Sequence, residues 1–127
     1  MRIVLADDEQ KVRSALRLLL EELMKEMVGS LRKDCCHVVE APSAEAVVRE
    51  LTKEAADLLL LDWELPGMEP GELVDEVREL SPGCVIVAMS GRPEAARAAS
   101  DRGADVFVSK NEPPDRLVST LLHQVAV

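Results

Sequence analysis

Leu58-Leu59-Leu60-Leu61-Asp62 is the stretch on which the predicted fold rests. Four consecutive leucines are apolar on both faces of an extended strand, which is typical of a central strand in a parallel sheet covered by helices on both sides. A carboxylate directly after such a run is costly to bury unless it has a role. The stretch therefore predicts a buried parallel strand that ends in a functional aspartate.

On both sides of this strand, short apolar runs alternate with longer amphipathic stretches, which is the pattern of repeated βα units. We predict five strands, at residues 3–6, 37–40, 58–61, 84–89 and 106–108. Parallel strands joined by helices connect through right-handed crossovers. The sequence therefore predicts a doubly wound α/β sandwich with one five-stranded parallel sheet.

The helix boundaries are predicted from capping residues and from the spacing of apolar side chains. Ser43 is a candidate N-cap for the second helix. Pro93 and Pro113 suit the first turn of the fourth and fifth helices, because proline lacks the amide that goes unpaired there. Gly103 is expected to end the fourth helix. These signals place a helix after each of the predicted strands.

Length, charge and hydropathy narrow the class of protein. The 127 residues suit a single domain over residues 1–127. The formal charge of −9, from 24 acids and 15 bases, argues against direct binding of nucleic acid. No apolar run reaches the roughly 20 residues that span a bilayer, and Asp7 and Asp8 come too early for a secretory signal. We expect a cytoplasmic protein with reduced cysteines at positions 35, 36 and 84.

Polar side chains follow the predicted strands at the edge where parallel sheets carry their functional crevice. They are Asp7 and Asp8 after the first strand, Asp62 after the third, Ser90 after the fourth and Lys110 after the fifth. Alone, the acidic pair would suit a helix N-terminus, and Lys110 would suit a solvated surface. Together, three carboxylates predict a site for a hard cation such as Mg²⁺, and their combination with Ser90 and Lys110 predicts phosphoryl chemistry on a carboxylate.

Four segments resemble response-regulator receiver domains in sequence and in order. They are residues 4–9 (VLADDE), 61–68 (LDWELPGM), 88–91 (AMSG) and 103–110 (GADVFVSK). The likeness covers essentially the whole chain. It implies a flavodoxin-like (βα)5 fold with strand order 2-1-3-4-5, and a phosphorelay switch rather than a turnover enzyme.

The resemblance assigns the metal ligands and the phosphoacceptor. It implies that Asp62 accepts a phosphoryl group from a sensor histidine kinase or a phosphotransfer protein, with Mg²⁺ or Mn²⁺ as the cofactor. Asp8 would bind the metal directly and Asp7 largely through water. Asp62 and the backbone carbonyl of Glu64 would complete the ligands from the protein.

The resemblance also assigns the residues around the phosphoryl group. Ser90 and Lys110 would bind its oxygens with the help of the Gly91 amide. Phe107 matches the aromatic residue that turns inward when the hydroxyl at the position of Ser90 moves toward phosphate. The downstream protein would bind the face made by the fourth helix, fifth strand and fifth helix, and a homodimer is compatible with the family. We expect no output domain in the chain, no direct contact with nucleic acid and no membrane association.

The chain departs from the family pattern at four places. Asn111 follows Lys110 where proline is common, so we expect a trans peptide there or a strained exception. Pro70 stands where glycine is usual and should stiffen the entry to the third helix. The fourth helix looks short. The segment at residues 24–36 is longer than usual by roughly ten residues, about three helical turns.

Glu64 and Arg92 lie two residues beyond Asp62 and Ser90, respectively. In the family these positions flank the mouth of the site, where water must approach an acyl phosphate. Opposite charges there could pair across the opening and gate hydrolysis, or both side chains could remain in solvent.

Two alternatives stay open from the sequence. A phosphatase of the haloacid-dehalogenase type also uses an aspartate followed by an acid two residues later, as in Asp62-Trp63-Glu64, but its nucleophile comes near the start of the chain and its acidic pair last. A degenerate receiver would act as a protein-binding module without phosphorylation. The departure at Asn111 favours this second alternative, and the complete set of site residues argues against it.

Overall fold

The computed structural model describes residues 1–28 and 37–125. Its strands are β1 (Arg2–Ala6), β2 (His37–Ala41), β3 (Leu58–Asp62), β4 (Val85–Ser90) and β5 (Val106–Ser109). Its helices are α1 (Gln10–Val28), α2 (Ala44–Lys53), α3 (Pro70–Leu80), α4 (Ala95–Asp101) and α5 (Pro114–Val125). The strands pair in parallel in the order β2-β1-β3-β4-β5. The predicted fold class and strand order are confirmed.

The leucines of β3 divide between two hydrophobic clusters because successive side chains point to opposite faces of a strand. Leu59 and Leu61 pack in a cluster that also contains buried residues of α2, α3 and α4. Leu58 and Leu60 pack in a second cluster with buried residues of α1 and α5. All four leucines are buried. The central strand therefore serves as the shared wall of both halves of the core, and it fixes the position of Asp62 at its end.

The helix boundaries agree with the capping residues in part. Ser43 caps α2 by accepting a hydrogen bond from the Ala46 amide at 3.2 Å, as predicted. Gly103 adopts φ +102°, a conformation that favours glycine, and it follows the short α4. The prediction that Pro93 lies in the first turn of α4 is wrong, because α4 begins at Ala95. Pro93 belongs to a preceding turn, in which its carbonyl accepts a hydrogen bond from the amide of Ala96.

The boundary of the last helix also differs from the prediction. The amide of Arg116 donates to the carbonyl of Pro113, again three residues apart, and α5 begins at Pro114. Pro70 lies in the first turn of α3, where the missing amide has no cost. Pro70, Pro93 and Pro113 thus each lie at the approach to a helix, but a proline alone does not tell whether the helix or a preceding tight turn begins there.

The extension predicted after the first helix is only partly covered by the described residues. α1 continues to Val28, and Leu23 in its last part is buried in the second cluster. Residues 29–36, with Cys35 and Cys36, lie outside the described residues. Cys84 is buried and free, and burial raises the pKa of its thiol to about 12. None of the helices in residues 1–28 and 37–125 has both the length and the apolar character needed to cross a bilayer.

Arg2 ties α2 to the amino-terminal edge of the sheet. Its side chain is buried, donates to the backbone carbonyl of Glu54, and lies 3.2 Å from a carboxylate oxygen of Glu50. The backbone amide of Arg2 donates to a carboxylate oxygen of Asp57 at 2.8 Å. A carboxylate oxygen of Glu54 lies 3.7 Å from the guanidinium. The buried cation is therefore balanced by two carboxylates and by a carbonyl dipole.

Arg78 similarly connects α3 to the starts of β4 and β5. Its guanidinium donates to the carbonyl oxygens of Cys84 (2.5 Å) and Gly103 (2.8 Å) and to the carboxylate of Asp105 (2.8 Å). The same carboxylate oxygen of Asp105 accepts from the Ile86 amide at 2.8 Å. This network fastens the end of α3 to the beginnings of two strands.

Candidate functional site

The polar residues predicted at the strand ends lie together at the carboxyl-terminal edge of the sheet. Asp62, Ser90 and Ser109 are the last residues of their strands, and Asp7 and Lys110 directly follow theirs. Asp7, Asp62 and Ser90 are buried, whereas Asp8 is exposed. The parallel register of β1 with β3 and of β3 with β4 aligns these ends.

Lys110 connects the two buried carboxylates of the site. Its ammonium nitrogen lies 2.9 Å from Oδ2 of Asp7 and 3.3 Å from Oδ1 of Asp62. Asp7 is fully buried, and Asp62 is 3 % exposed. Although the side chain of Lys110 is 30 % exposed, its ammonium contacts both buried carboxylates, so Lys110 is not simply a solvated surface lysine.

The pKa values of Asp62 and Lys110 are both raised. Burial raises the pKa of Asp62, and the nearby charge of Asp7 adds to this, against the opposing effects of the Glu64 amide and of Lys110. Burial acts to lower the pKa of Lys110, but its hydrogen bond to Asp7 and the charges of both aspartates outweigh that effect. Lys110 is therefore firmly cationic, while the negative charge of Asp62 is held in an unfavourable environment.

Asp7, Asp8 and Asp62 form a group that could hold a metal ion. One carboxylate oxygen of each lies within 4.8 Å of those of the other two. Oδ1 of Asp7 accepts from the Glu9 amide at 2.9 Å, and its Oδ2 contacts Lys110. Carboxylate oxygens are the donors that Mg²⁺ prefers. The donor set thus fits a hard divalent cation, with Asp8 as the carboxylate most open to solvent.

The Ser90 hydroxyl is engaged by a residue of the β3–α3 loop. Oγ of Ser90 donates to Oε1 of Glu64 at 2.7 Å and accepts from the Arg92 backbone amide at 3.0 Å. The guanidinium of Arg92 lies 3.5 Å from the second carboxylate oxygen of Glu64. Of the two alternatives left open by the sequence, the structure has the ion pair between Glu64 and Arg92. Glu64 also accepts a hydrogen bond from the Ser90 hydroxyl, which was not predicted.

Two loops of the site are joined by Asn111. The Lys110 amide donates to the Ser90 carbonyl at 2.9 Å, and Nδ2 of Asn111 donates to the Gly91 carbonyl at 2.6 Å. The Lys110–Asn111 peptide is trans, one of the two conformations allowed for it. Asn111 thus provides a cross-link between the β4–α4 and β5–α5 loops at the position where the family commonly has proline.

The two aromatic residues near the site lie against the α2–α3–α4 cluster. Phe107 is half-buried and packs on this cluster from β5. Trp63, the residue after Asp62, is 5 % exposed and is a member of the cluster. The inward turn of Phe107 stays a prediction, and the indole of Trp63 is packed in the core rather than exposed at the mouth.

Arg13, which was not predicted from the sequence, supports the first loop of the site. Its guanidinium donates to the backbone carbonyl of Asp7 at 2.8 Å and to a carboxylate oxygen of Glu40 at 3.1 Å. A basic residue one turn into the helix after an acidic pair was the available signal. Its partner on β2 could not be deduced, because 27 residues separate the two.

The fold and the site define a doubly wound α/β protein with an acidic, lysine-bridged cluster at the carboxyl ends of its strands. A family profile described as the response regulator receiver domain matches residues 3–122. The chain belongs to this family, whose members act as switches in two-component signal transduction.

Among curated proteins, the chain is similar to the nitrate/nitrite response regulator protein NarL of Escherichia coli K12. The two are 32 % identical over 126 residues, which cover 98 % of this chain and 54 % of NarL. The chain thus spans about half the length of this relative.

Solved receiver domains share the fold. One belongs to a DNA binding response regulator of Colwellia psychrerythraea 34H, with a TM-score of 0.82, 17 % identity, and coverage of 100 % of this chain and 99 % of that one. Another is the beryllofluoride-activated NtrC4 receiver domain dimer, with a TM-score of 0.76, 23 % identity, and coverage of 97 % and 94 %. At these identities the likeness concerns the fold alone.

Proposed function

We propose that this chain is a phosphorelay receiver in which Asp62 accepts a phosphoryl group in a reaction that depends on Mg²⁺ or Mn²⁺. The observation that carries the proposal is the placement of Lys110, whose ammonium bridges Asp7 and the buried Asp62 beside Asp8. Three carboxylates with one lysine in contact leave net negative charge, which suits a divalent cation.

The metal would be held by Asp8, by Asp62, by the backbone carbonyl of Glu64 and, through water, by Asp7. When bound, it supplies charge that neutralises the carboxylates and the phosphoryl oxygens. The ionised form of Asp62 is the nucleophile, and the Glu64 amide and Lys110 stabilise that form against burial. These two contacts offset only part of the effect of burial, and the charge of a bound metal ion would favour the ionised carboxylate further.

In the phosphoryl transfer, a carboxylate oxygen of Asp62 forms a bond to phosphorus. The bond between phosphorus and the donor, a phosphohistidine nitrogen of a sensor kinase or phosphotransfer protein, breaks, and the donor nitrogen keeps the electron pair. Lys110, Ser90 and the Gly91 amide donate to the phosphoryl oxygens. Hydrolysis by water then regenerates the carboxylate and releases phosphate, so the protein turns itself off and is not a turnover enzyme.

Membership of the family also supports a proposal about partners and location. We propose a cytoplasmic protein whose α4–β5–α5 face, with Phe107 on its central strand, carries the signal to a downstream protein. A homodimer of the phosphorylated form is supported by the NtrC4 receiver domain, which is a dimer in its beryllofluoride-activated state. We propose no direct contact with nucleic acid or membrane by residues 1–127, given their charge of −9.

Beryllofluoride, a mimic of the phosphoryl group, separates this function from that of a degenerate receiver. Calorimetry of the wild-type protein should show binding with Mg²⁺ present and none in its absence. Asp62→Asn should abolish binding, and Lys110→Ala should weaken it. The absence of binding in the presence of Mg²⁺, with the protein folded, would assign the chain to the phosphorylation-independent class.

A further inference from the structure

The hydroxyl of Ser90 has one proton to donate, and that proton is used by Glu64. The Oγ–Oε1 distance of 2.7 Å is typical of a strong bond to a carboxylate. Ser90 is fully buried, so bulk water does not compete directly for the hydroxyl. In this structure Ser90 therefore donates to Glu64, which is not one of the three clustered aspartates.

A phosphoryl group on Asp62 offers only acceptors at its unesterified oxygens. Ser90 can donate to such an oxygen only after its hydrogen bond to Glu64 breaks, because a hydroxyl has one proton and cannot donate it fully to two acceptors. The bond to Glu64 and the bond to the phosphoryl group are therefore alternatives.

Arg92 holds Glu64 and Ser90 in this arrangement from two sides. Its backbone amide donates to Oγ of Ser90 at 3.0 Å, which orients the hydroxyl. Its guanidinium lies 3.5 Å from Oε2 of Glu64, the oxygen that Ser90 does not use. The side chain of Glu64 is 40 % exposed, so its carboxylate can turn to solvent when Ser90 leaves.

We propose that Glu64 is a positioning residue that holds the Ser90 hydroxyl away from Asp62 in the unphosphorylated protein. We call this contact the latch. Because it must break before Ser90 can bind the phosphoryl group, it lowers the affinity of the site for that group. The inference rests on the proposed function of Asp62 as phosphoacceptor. It assigns the side chain of Glu64 a role separate from that of its backbone carbonyl at the metal and from pairing with Arg92 across the mouth of the site.

The effect of a latch can be distinguished from that of charge alone. A carboxylate at the mouth repels an incoming anion whether or not Ser90 has a hydroxyl. A latch acts only through that hydroxyl, so its removal has no effect once Ser90 is alanine. A double-mutant cycle between Glu64 and Ser90 therefore separates the two explanations.

The affinity for beryllofluoride at saturating Mg²⁺ should be measured for wild type, Glu64→Ala, Ser90→Ala and the double variant. Glu64→Ala should bind about fivefold to tenfold more tightly than wild type, the size expected for release of a hydrogen bond to a charged group at a partly exposed position. In the Ser90→Ala background the same change should have little effect. Glu64→Gln, which keeps an acceptor without charge, should lie between wild type and Glu64→Ala.

A second measurement needs no ligand. Side-chain scalar couplings of Ser90 in the resting protein should report one fixed χ1 rotamer in wild type and an averaged rotamer in Glu64→Ala. An equal gain in affinity in both Ser90 backgrounds, or an unchanged Ser90 rotamer, would overturn the latch and leave the function of Asp62 intact. Failure of wild type to bind beryllofluoride with Mg²⁺ would instead overturn the proposed function itself.

Discussion

Charged side chains at the amino-terminal edge of the sheet are paired with opposite charges, whereas those at the carboxyl-terminal edge are mostly grouped with like charges. At the amino-terminal edge, the cation of Arg2 faces the carboxylate of Glu50 and a backbone carbonyl, and Arg78 donates to two carbonyls and a carboxylate. At the carboxyl-terminal edge, three carboxylates lie within 4.8 Å of one another, with Lys110 in contact with two of them.

This difference separates charges that stabilise the fold from charges that prepare a reaction. A paired and hydrogen-bonded charge lowers the free energy of the folded state relative to an unpaired one. Grouped like charges oppose folding unless a cation neutralises them. The amino-terminal edge should therefore respond to mutation mainly in stability, and the carboxyl-terminal edge mainly in metal and phosphoryl binding.

Removal of Arg2 should have the largest effect on stability. Arg2→Ala leaves the Glu54 carbonyl and the carboxylate of Glu50 without this buried partner, so the free energy of unfolding should fall by about 2–4 kcal/mol. Urea unfolding measures the change. The exposed Arg97→Ala should fall within about 0.5 kcal/mol of wild type. Folded Arg2→Ala should still bind beryllofluoride as wild type does. A loss of binding in the folded variant would show that the amino-terminal edge contributes to binding as well as to stability.

Asp62→Asn should have opposite effects with and without Mg²⁺. Because the pKa of Asp62 is raised in the folded state, its ionised form opposes folding. This destabilisation is absent below the ordinary pKa of 3.8 and develops as the pH rises through the raised value. Without metal at neutral pH, the variant should therefore be more stable than wild type, and the difference should vanish in acid.

Saturating Mg²⁺ should reverse this order. A ligand at about one hundred times its Kd stabilises the protein that binds it by about 2.7 kcal/mol, and Asp62→Asn removes one of the carboxylates that would hold the ion. Thermal unfolding with a Mg²⁺ titration at pH 7 measures both effects. A variant that stays more stable than wild type at every Mg²⁺ concentration would contradict a metal site at this edge.

The Glu64–Arg92 pair should affect the lifetime of the acyl phosphate to a smaller extent. An exposed ion pair is worth about 0–1 kcal/mol, so Arg92→Ala should speed dephosphorylation by no more than about fivefold. Glu64→Ala should act in the same direction, and the double variant should add little. The decay of radiolabelled acyl phosphate gives the rates. Additive changes from the two single variants would exclude a shared gate.

The smallest expected effect is a change in the fluorescence emission of Trp63 when metal or beryllofluoride binds. Its indole belongs to the hydrophobic cluster beside α2, α3 and α4, so metal and beryllofluoride should change its emission through shifts in packing rather than by contact. We expect a small change with Mg²⁺ and a second one with beryllofluoride. Emission that stays constant at concentrations where calorimetry shows binding would mean that ligand binding at the carboxyl-terminal edge does not change the packing around Trp63.

The sequence could predict the strands and the residues at their ends because both depend on local pattern. Four leucines in a row need two covered faces, and the carboxyl ends of parallel strands meet at one edge. Asp62, Ser90 and Lys110 therefore come together in the structure although 48 residues of chain separate the first from the last. Ser43 was likewise predictable, since an N-cap acts within its own turn.

Contacts that depend on side-chain direction were not predictable in this way. The bond from Ser90 to Glu64 needs both rotamers to be known, and the ties of Arg2 and Arg78 join residues remote in the sequence. Pro93 shows the limit of local signals, because its fixed φ suits a tight turn as well as the first turn of a helix.

We propose that Asp62 is the residue that carries the phosphoryl group. Incubation with acetyl phosphate and Mg²⁺, followed by intact mass measurement and peptide mapping, tests it directly. We predict one acid-stable, base-labile phosphoryl group per molecule on the peptide that contains Asp62, no labelling without Mg²⁺, and none in Asp62→Asn. Stoichiometric labelling that persists in Asp62→Asn would contradict this assignment.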